Sequence, residues 1–152
     1  EQGIVADYVI MMGYDEHFAG GEAGSVSSIN YVKNGIAGML ENVPREKLIG
    51  GVPFYTRLWT EAGDGTITSK AMGIAEEKRW VDNNQVELTW QADTAQYYGE
   101  VQTSDGAQFL WMEEERSLKE KMNVIRQNDL AGVACWKLGF EDSAAWDSIQ
   151  WN

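Results

Sequence analysis

Three continuous apolar runs of strand length recur along the chain, and none of them alternates between apolar and polar positions. They occupy residues 8–12, 48–54 and 132–136. A strand covered on both faces reads as a continuous apolar run, whereas a half-exposed strand alternates. The runs therefore predict three strands of a parallel sheet that is buried on both faces.

Apolar residues at helical spacing accompany these runs. Residues 25–40 repeat apolar positions every three or four residues and predict a helix with Ser25 or Ser28 as its N-cap. Further helices are predicted at residues 114–128 and 143–149. Strands that alternate with helices are typical of βαβ units, so the pattern predicts an α/β fold.

The middle of the chain departs from this rhythm. Its predicted elements are a helix at residues 69–80 with Ser69 as a candidate cap, an alternating strand at 85–91, and a hairpin that joins 96–102 to 108–112 through Asp105 and Gly106. We expect residues 66–112 to form a small α+β insertion. Barrel-type β/α units would then fill residues 1–65, and a final helix–strand–helix would fill residues 113–152.

Charge and cysteine content exclude several classes of protein. A net charge of −12 repels phosphate backbones, so nucleic acid is not an expected partner. Cys135 is the only cysteine and lies in an apolar run, so no internal disulfide can form and an inert, buried thiol is expected. With a single histidine as well, no metal site and no cofactor are expected. No segment approaches the length of a membrane span, and no secretion leader is visible.

Polar and aromatic side chains follow each apolar run. Tyr14, Asp15 and Glu16 follow the first run, Tyr55 and Arg57 follow the second, and Trp136 ends the third. Ligand sites in parallel α/β folds lie beyond the carboxyl ends of the strands, so these side chains are expected at one rim. Tryptophan stacks on sugar faces, while Asp, Tyr and Arg bind hydroxyl and amide groups. A sugar pocket is therefore predicted, and ordinary polar strand ends are the alternative.

These three segments resemble the family 18 glycoside hydrolases, the chitinase-like (β/α)8 barrels. The motif at residues 11–17, MMGYDEH, is similar to that family's sixth strand. The seventh and eighth strands are matched by residues 50–59, GGVPFYTRLW, and 132–142, GVACWKLGFED. Within the family, the bacterial group that includes spore cortex-lytic enzymes is the most similar. The resemblance implies the C-terminal portion, about strands six to eight, of a TIM (β/α)8 barrel, with an α+β insertion between the last two strands.

The resemblance also implies roles for individual residues. Family members cleave β-1,4 links beside N-acetylglucosamine, and the acetamide oxygen of the sugar attacks its own anomeric carbon. Tyr14 would hydrogen-bond that oxygen, and Asp15 would bind substrate and bias the charge near the acid. Arg57 would contact polar groups of the sugar, Tyr55 would line the cleft, and Trp136 would form its floor.

Other residues near these motifs have two interpretations each. Trp59 and Glu16 are candidate substrate contacts, but Trp59 is about equally a candidate for packing and Glu16 for a structural partner. His17 is expected at the surface or behind the residues that touch substrate. Trp80 and Trp111 are expected, with Trp90, to pack the insertion rather than to form a cleft wall.

The family's proton donor is absent from this sequence. That donor is the last Glu of a D-x-x-D-x-D-x-E run on the fourth strand, and no such run occurs here. We therefore expect the N-terminal half of the same barrel to be a partner, and this chain alone to be inactive and to self-associate. A carbohydrate-binding barrel without catalysis and a structural domain are the alternatives. The glycan would be chitin or peptidoglycan, and an extracellular, cell-envelope or spore location follows only from the family.

Overall fold

The computed structural model describes residues 2–151. Its helices are α1 (Gln2–Val5), α2 (Ile29–Leu40), α3 (Ile74–Asn84), α4 (Glu115–Gln127) and α5 (Ser143–Ser148), with one 3-10 turn at Arg45–Lys47. Its strands are β1 (Val9–Met12), β2 (Leu48–Pro53), β3 (Tyr55–Glu61), β4 (Ile67–Gly73), β5 (Thr89–Gln91), β6 (Gln96–Thr103), β7 (Gly106–Trp111) and β8 (Gly132–Trp136). The mixture of helices and strands confirms an α/β fold.

The three apolar runs form one parallel sheet in the order β1-β2-β8, as their composition predicts. Helices α2 and α4 contact one face of this sheet. Gly50 permits the close approach of α4, since a Cβ at this position would lie 2.6 Å from Ile125 Cδ1. The core on this face continues through the helices as an apolar cluster that includes Val32, Ile36, Leu118 and Met122.

The opposite face of β1 is exposed, contrary to the prediction that the sheet is buried on both faces. Ile10 and Met12 are 54% and 67% exposed, respectively. These side chains point away from the helices because residues alternate between the two faces of a strand. Within residues 2–151, the apolar side chains of β1 are therefore covered only on the face that packs against the helices.

Helix α2 begins where a serine and a glutamate can satisfy its free backbone amides. The Ser28 hydroxyl accepts from Tyr31 N–H at 3.1 Å, so Ser28 rather than Ser25 is the N-cap. Glu16 supplies a second acceptor, because its Oε2 accepts from Ser28 N–H at 2.7 Å and its Oε1 from the Ser28 hydroxyl at 3.0 Å. The segment after β1 is thereby fixed to the start of α2.

The five remaining strands form an antiparallel sheet in the order β4-β3-β7-β6-β5. The hairpin predicted around Asp105 and Gly106 is confirmed, with Thr103 paired to Gly106. Gly106 has a φ of 126°, a value that an L side chain rarely adopts. Because β3 belongs to this sheet, the antiparallel sheet begins at Tyr55. The predicted insertion begins only at residue 66. The division into three domains itself stays a prediction.

Two predictions in this region are wrong. Residues 69–73 are strand rather than helix, because β4 pairs with β3. The paired residues run from Tyr55 with Gly73 to Glu61 with Ile67. Helix α3 begins only at Ile74, and Ser69 is therefore not its cap. The strand predicted at 85–91 is reduced to Thr89–Gln91. Backbone pairing with a neighbouring strand outweighs the weak local preference of this segment.

A buried ion pair lies where helix α4 meets the antiparallel sheet. Lys121 Nζ lies 3.1 Å from each carboxylate oxygen of Glu113, and both side chains are essentially inaccessible to solvent. Ser117 donates to Glu113 at 2.7 Å, and Gln96 donates to it at 3.2 Å. Burial raises the pKa of Glu113, although the Lys121 charge and the Ser117 hydrogen bond oppose this shift. The cluster joins the two layers through hydrogen-bonded charges.

Candidate active site

The carboxyl ends of β1, β2 and β8 lie at one edge of the parallel sheet. Met12 pairs with Gly51, and Pro53 pairs with Trp136, so the residues that follow these strands emerge together. The ring centroids of Tyr14 and Trp136 lie 6.5 Å apart with an angle of 25° between their planes. The prediction that the three strands deliver side chains to a common rim therefore agrees with this geometry.

Tyr55 joins the group from the start of β3. Its ring centroid lies 6.3 Å from that of Tyr14, at an angle of 66°. Its hydroxyl donates to Asp15 Oδ1 at 2.5 Å, which fixes one carboxylate oxygen. Asp15 has a φ of 59°, in the left-handed region that Asp and Asn tolerate better than most residues. Asp15 is thus held by its backbone conformation and by the phenol of Tyr55.

Both phenols of this site hold their protons firmly. Burial raises the pKa of Tyr55, and its hydrogen bond to Asp15 raises it further. Burial also raises the pKa of Tyr14, and the negative charge of Asp15 acts in the same direction. Each phenol is therefore a hydrogen-bond donor across the pH range in which proteins are stable.

Arg57 lies two residues beyond Tyr55 on the same face of β3. One of its terminal nitrogens donates to Ser69 Oγ on β4 at 3.0 Å. Its Nε is buried and has no hydrogen-bond partner within the described residues. A buried donor without an acceptor is costly, so Arg57 is held in the site by its bond to Ser69 and by packing rather than by a full set of hydrogen bonds.

Trp136 offers the exposed aromatic surface of the site. It is 53% exposed, whereas Tyr55 is 5% exposed. The ring of Phe140 packs near that of Tyr55, with 6.2 Å between the two ring centroids. Phe140 lies within the motif at residues 132–142 and Ser69 was a candidate helix cap, but neither was predicted to lie beside the site. A sugar ring could therefore stack on Trp136 while Tyr14 and Asp15 face its edge.

Two of the predicted substrate contacts have structural roles in this geometry. Trp59 is only 1% exposed, and its indole N–H donates to Gly24 O at 2.9 Å. No ring face of Trp59 is left for a sugar, so its burial favours packing over a substrate contact. Both oxygens of Glu16 bind Ser28, which favours the structural interpretation of this residue over the substrate contact.

Gly13 allows the loop with the tyrosine and the aspartate to lie against β2. Its N–H donates to Gly51 O at 3.1 Å, and a Cβ at Gly13 would lie 2.4 Å from the same oxygen. A Cβ at Gly51 would lie 2.6 Å from Met11 O and 3.3 Å from Tyr14 Cε1. This pair of glycines therefore sets the position of Tyr14 above the end of β2.

Within residues 2–151, no group of three or more His, Cys, Asp or Glu residues is arranged to hold a metal ion. None of the helices described is both long enough and apolar enough to cross a bilayer.

The sequence family follows from a match that covers most of the chain. The model of the glycosyl hydrolases family 18 matches residues 2–141. The chain belongs to this family. Two Bacillus subtilis (strain 168) members are similar in sequence: the uncharacterized glycosylase YvbX, 29% identical over 149 residues, and a cortical fragment-lytic enzyme, 27% identical over 146 residues. These matches cover 97% and 95% of the chain, but 43% and 34% of the relatives.

Solved family 18 structures share the fold. A chitinase from Chromobacterium violaceum ATCC 12472 superposes with a TM-score of 0.89 at 24% identity, covering 97% of this chain and 45% of that one. The Bacillus megaterium QM B1551 spore cortex-lytic enzyme SleL superposes with a TM-score of 0.85 at 25% identity, covering 97% and 34%, respectively. The chain therefore spans less than half the length of each of these four family 18 proteins.

Proposed function

We propose that this chain is the C-terminal part of a (β/α)8 barrel, comprising about strands six to eight with an α+β insertion between the last two. The complete protein would cleave β-1,4 links in a glycan that contains N-acetylglucosamine. The observation that carries this proposal is the convergence of Tyr14, Tyr55 and Trp136 around Asp15 at one end of the parallel sheet.

The geometry suits substrate-assisted chemistry. With a sugar stacked on Trp136, the protonated phenol of Tyr14 would donate to the acetamide oxygen and hold it below the anomeric carbon. Asp15, oriented by Tyr55, would favour the positive charge that develops on the reacting sugar. Arg57 would offer the terminal N–H groups of its guanidinium that are not bonded to Ser69 to a polar group of the substrate. The proton for the leaving oxygen would come from a carboxylic acid in the N-terminal half of the barrel.

The exposed sheet face supports a missing half. Ile10 and Met12 lie on that face, and β1 and β8 each present an edge with no strand partner within residues 2–151. Exposed apolar side chains and open strand edges favour association. We propose that the N-terminal half of the same barrel covers this face, and that without it the chain self-associates.

The glycan class follows from relatives rather than from the pocket. Relatives with 26–27% identity are named cortical fragment-lytic enzymes, and one solved relative is named a spore cortex-lytic enzyme. We propose peptidoglycan or chitin as the substrate, with action at the spore, at the cell envelope or outside the cell. Trp136 would stack on a neutral pyranose of either polymer.

The test uses the complete barrel protein with Tyr14→Phe, Asp15→Asn and Trp136→Ala. Asn is preferred to Ala at residue 15 because it tolerates the positive φ. Binding of N-acetylglucosamine oligosaccharides is measured by calorimetry, and hydrolysis by product chromatography. We expect Trp136→Ala to weaken binding, and Tyr14→Phe and Asp15→Asn to lower hydrolysis by about 100-fold or more. A wild-type protein that binds without cleaving would identify a carbohydrate-binding barrel, and variants that bind and cleave normally would refute the proposed site.

A further inference from the structure

A second cavity opens on the far side of the loop that follows Asp15. It has a volume of about 410 Å³ and lies between residues 16–28 and the β5 and β7 side of the antiparallel sheet. Ligand pockets in proteins commonly measure about 300–1,000 Å³. The cavity is therefore large enough for a ligand, and Tyr14, Asp15, Tyr55, Arg57 and Trp136 are not among its lining residues.

One wall of this cavity is aromatic and has a fixed orientation. Trp111 lines the cavity, and its indole N–H donates to Gln91 Oε1 at 2.8 Å. Its ring centroid lies 5.0 Å from that of Tyr98 and 6.1 Å from that of Phe109. Trp111 packs against these two aromatic rings of the antiparallel sheet, and part of its surface remains at the cavity.

The polar groups of the cavity include an imidazole, two side-chain amides and two carboxylates. His17 Nδ1 lies 2.7 Å from Ser25 O, and since a carbonyl only accepts, Nδ1 carries the proton. In the neutral ring, Nε2 is then an acceptor for a ligand hydroxyl. Asn30 donates to Asp93 O at 3.1 Å and keeps its amide oxygen as an acceptor, while Gln91 keeps its amide N–H groups as donors.

The charge of the lining selects against anions. No lysine or arginine lines the cavity, and its charged residues are Glu16, which is tied to Ser28, and Asp93. An aromatic ring with amide and imidazole groups fits an uncharged ligand that carries many hydroxyl groups. This is the chemistry of a saccharide rather than of a phosphate or a nucleotide.

The walls are built by buried interactions and need no rearrangement. The Ser25 hydroxyl donates to the buried Gln96, and Gln96 in turn donates to Glu113 of the buried ion pair. The loop that carries His17 is thereby tied to β6 and, through Glu113, to Lys121 of α4. A site of this kind loses little conformational entropy when a ligand binds.

The cavity adjoins the candidate active site. Glu16 and His17 directly follow Asp15, and the Thr56 hydroxyl donates to Trp111 O, so Trp111 lies one strand away from Tyr55 and Arg57. Neighbouring strands are about 4.8 Å apart. A glycan chain that fills the rim could therefore continue across this sheet.

We propose that the cavity lined by His17, Asn30, Gln91 and Trp111 binds a second saccharide unit of the same glycan, at a distance from the sugar that reacts. This inference rests on the proposed function for the identity of the glycan. Its consequence is a preference for long chains, because only they reach both the rim and the cavity.

The test measures dissociation constants of the complete barrel protein for sulfur-linked, non-hydrolysable N-acetylglucosamine dimers and hexamers. Trp111→Ala removes the aromatic wall. Ala23→Trp fills the cavity with a larger side chain and truncates none of the residues that line it. We expect each variant to weaken hexamer binding by about ten-fold and to leave dimer binding unchanged, while Trp111→Phe retains most of the affinity. Trp80→Ala is the matched control, and we expect it to leave binding of both ligands unchanged. Trp80 is a half-buried indole of α3 that also donates to a glutamine, Gln108. It packs against the antiparallel sheet away from the cavity.

The outcomes separate the cavity from the rim. Hexamer binding that survives both Trp111→Ala and Ala23→Trp overturns the cavity site, and so does an equal loss for dimer and hexamer. If Trp136→Ala abolishes dimer binding in that same experiment, the proposed function stands without the cavity. If Trp136→Ala leaves both ligands bound as in the wild type, the proposed function fails as well.

Discussion

Replacement of Tyr55 by Phe removes one hydroxyl from the centre of the site and leaves the ring in place. The lost interaction is the 2.5 Å hydrogen bond from Tyr55 Oη to Asp15 Oδ1. The ring contacts with Tyr14 and Phe140, at centroid distances of 6.3 and 6.2 Å, are preserved. The substitution therefore tests whether the phenol orients Asp15.

The size of the effect follows from the type of bond. A hydrogen bond to a charged group contributes about 1.5–3 kcal/mol. If this free energy holds Asp15 in the geometry that the transition state needs, its loss lowers kcat/KM by about 10- to 150-fold. Because the raised pKa of Tyr55 keeps the phenol protonated, the phenol remains a donor to Asp15 at mildly alkaline pH.

The assay is the initial rate of hydrolysis of an N-acetylglucosamine oligosaccharide by the complete barrel protein, with thermal unfolding measured alongside. Tyr98→Phe is the matched control, because Tyr98 also donates to a carboxylate, Glu100 Oε2, at 2.6 Å. We expect this control to retain wild-type activity. A Tyr55→Phe variant with unchanged kcat/KM, alongside an Asp15→Asn variant of low activity, would refute the orienting role of Tyr55.

Three further predictions concern buried and partly buried groups. Lys121→Met leaves the Glu113 carboxylate unpaired in the interior and should destabilise the protein by about 3–5 kcal/mol in urea unfolding, with much of the loss recovered by the additional change Glu113→Gln. Burial and the neighbouring Glu113 raise the pKa of Glu77 well above 4.5, so the stability that Glu77 contributes is complete below that pH and is lost as the pH rises through its folded-state pKa. Glu77→Gln should therefore stabilise the protein at pH 7, and the gain in unfolding midpoint should disappear near pH 4. Burial, with the charge of Glu141, raises the pKa of Cys135 from 9.0 to about 11, so alkylation of Cys135 at pH 8 should be about 100-fold slower than that of an unburied thiol.

Each of these predictions has a contradicting result. A Lys121→Met variant that loses less than about 1 kcal/mol would show that Glu113 takes up a proton at little cost. A Glu77→Gln variant that is less stable than the wild type at pH 7 would show that the hydrogen bond from Glu113 N–H to Glu77 Oε2 outweighs the cost of burying the carboxylate. Alkylation of Cys135 at the rate of a free thiol would show that β8 opens readily to solvent.

The parallel sheet could be predicted from the sequence because its strands are continuous apolar runs. Strands β2 and β8 end at Pro53 and Trp136, and these two residues pair in the sheet. What the pattern could not show is that Ile10 and Met12 lie on an open face, because an apolar run is the same whether its partner is present or absent.

The antiparallel sheet was harder to predict from the residues. Tyr55 and Arg57 follow the second apolar run in the sequence, yet they belong to a further strand, in which Thr56 and Leu58 lie opposite them. The pattern predicts a helix from Ser69, although Ser69 to Gly73 pairs with this strand. Both errors have one cause, since the pairing of distant segments determines the strand state of residues whose own preference is weak.

The site illustrates the same limit. The spacing of the motifs places Tyr14, Asp15 and Trp136 at one rim, but it gives no information on how Asp15 is held. The bond from Tyr55 depends on the positive φ of Asp15 and on the turn from β2 into β3, which are tertiary features. Trp59 looks like a further sugar contact in the sequence and is instead buried against Gly24.

A crystal structure of the complete barrel protein with a bound N-acetylglucosamine oligosaccharide tests the central claim most directly. We predict one pyranose ring stacked on Trp136, with its acetamide oxygen about 2.5–3.0 Å from Tyr14 Oη and with Asp15 still bonded to Tyr55. An oligosaccharide bound elsewhere, with Tyr14 and Trp136 free of sugar, would contradict the claim.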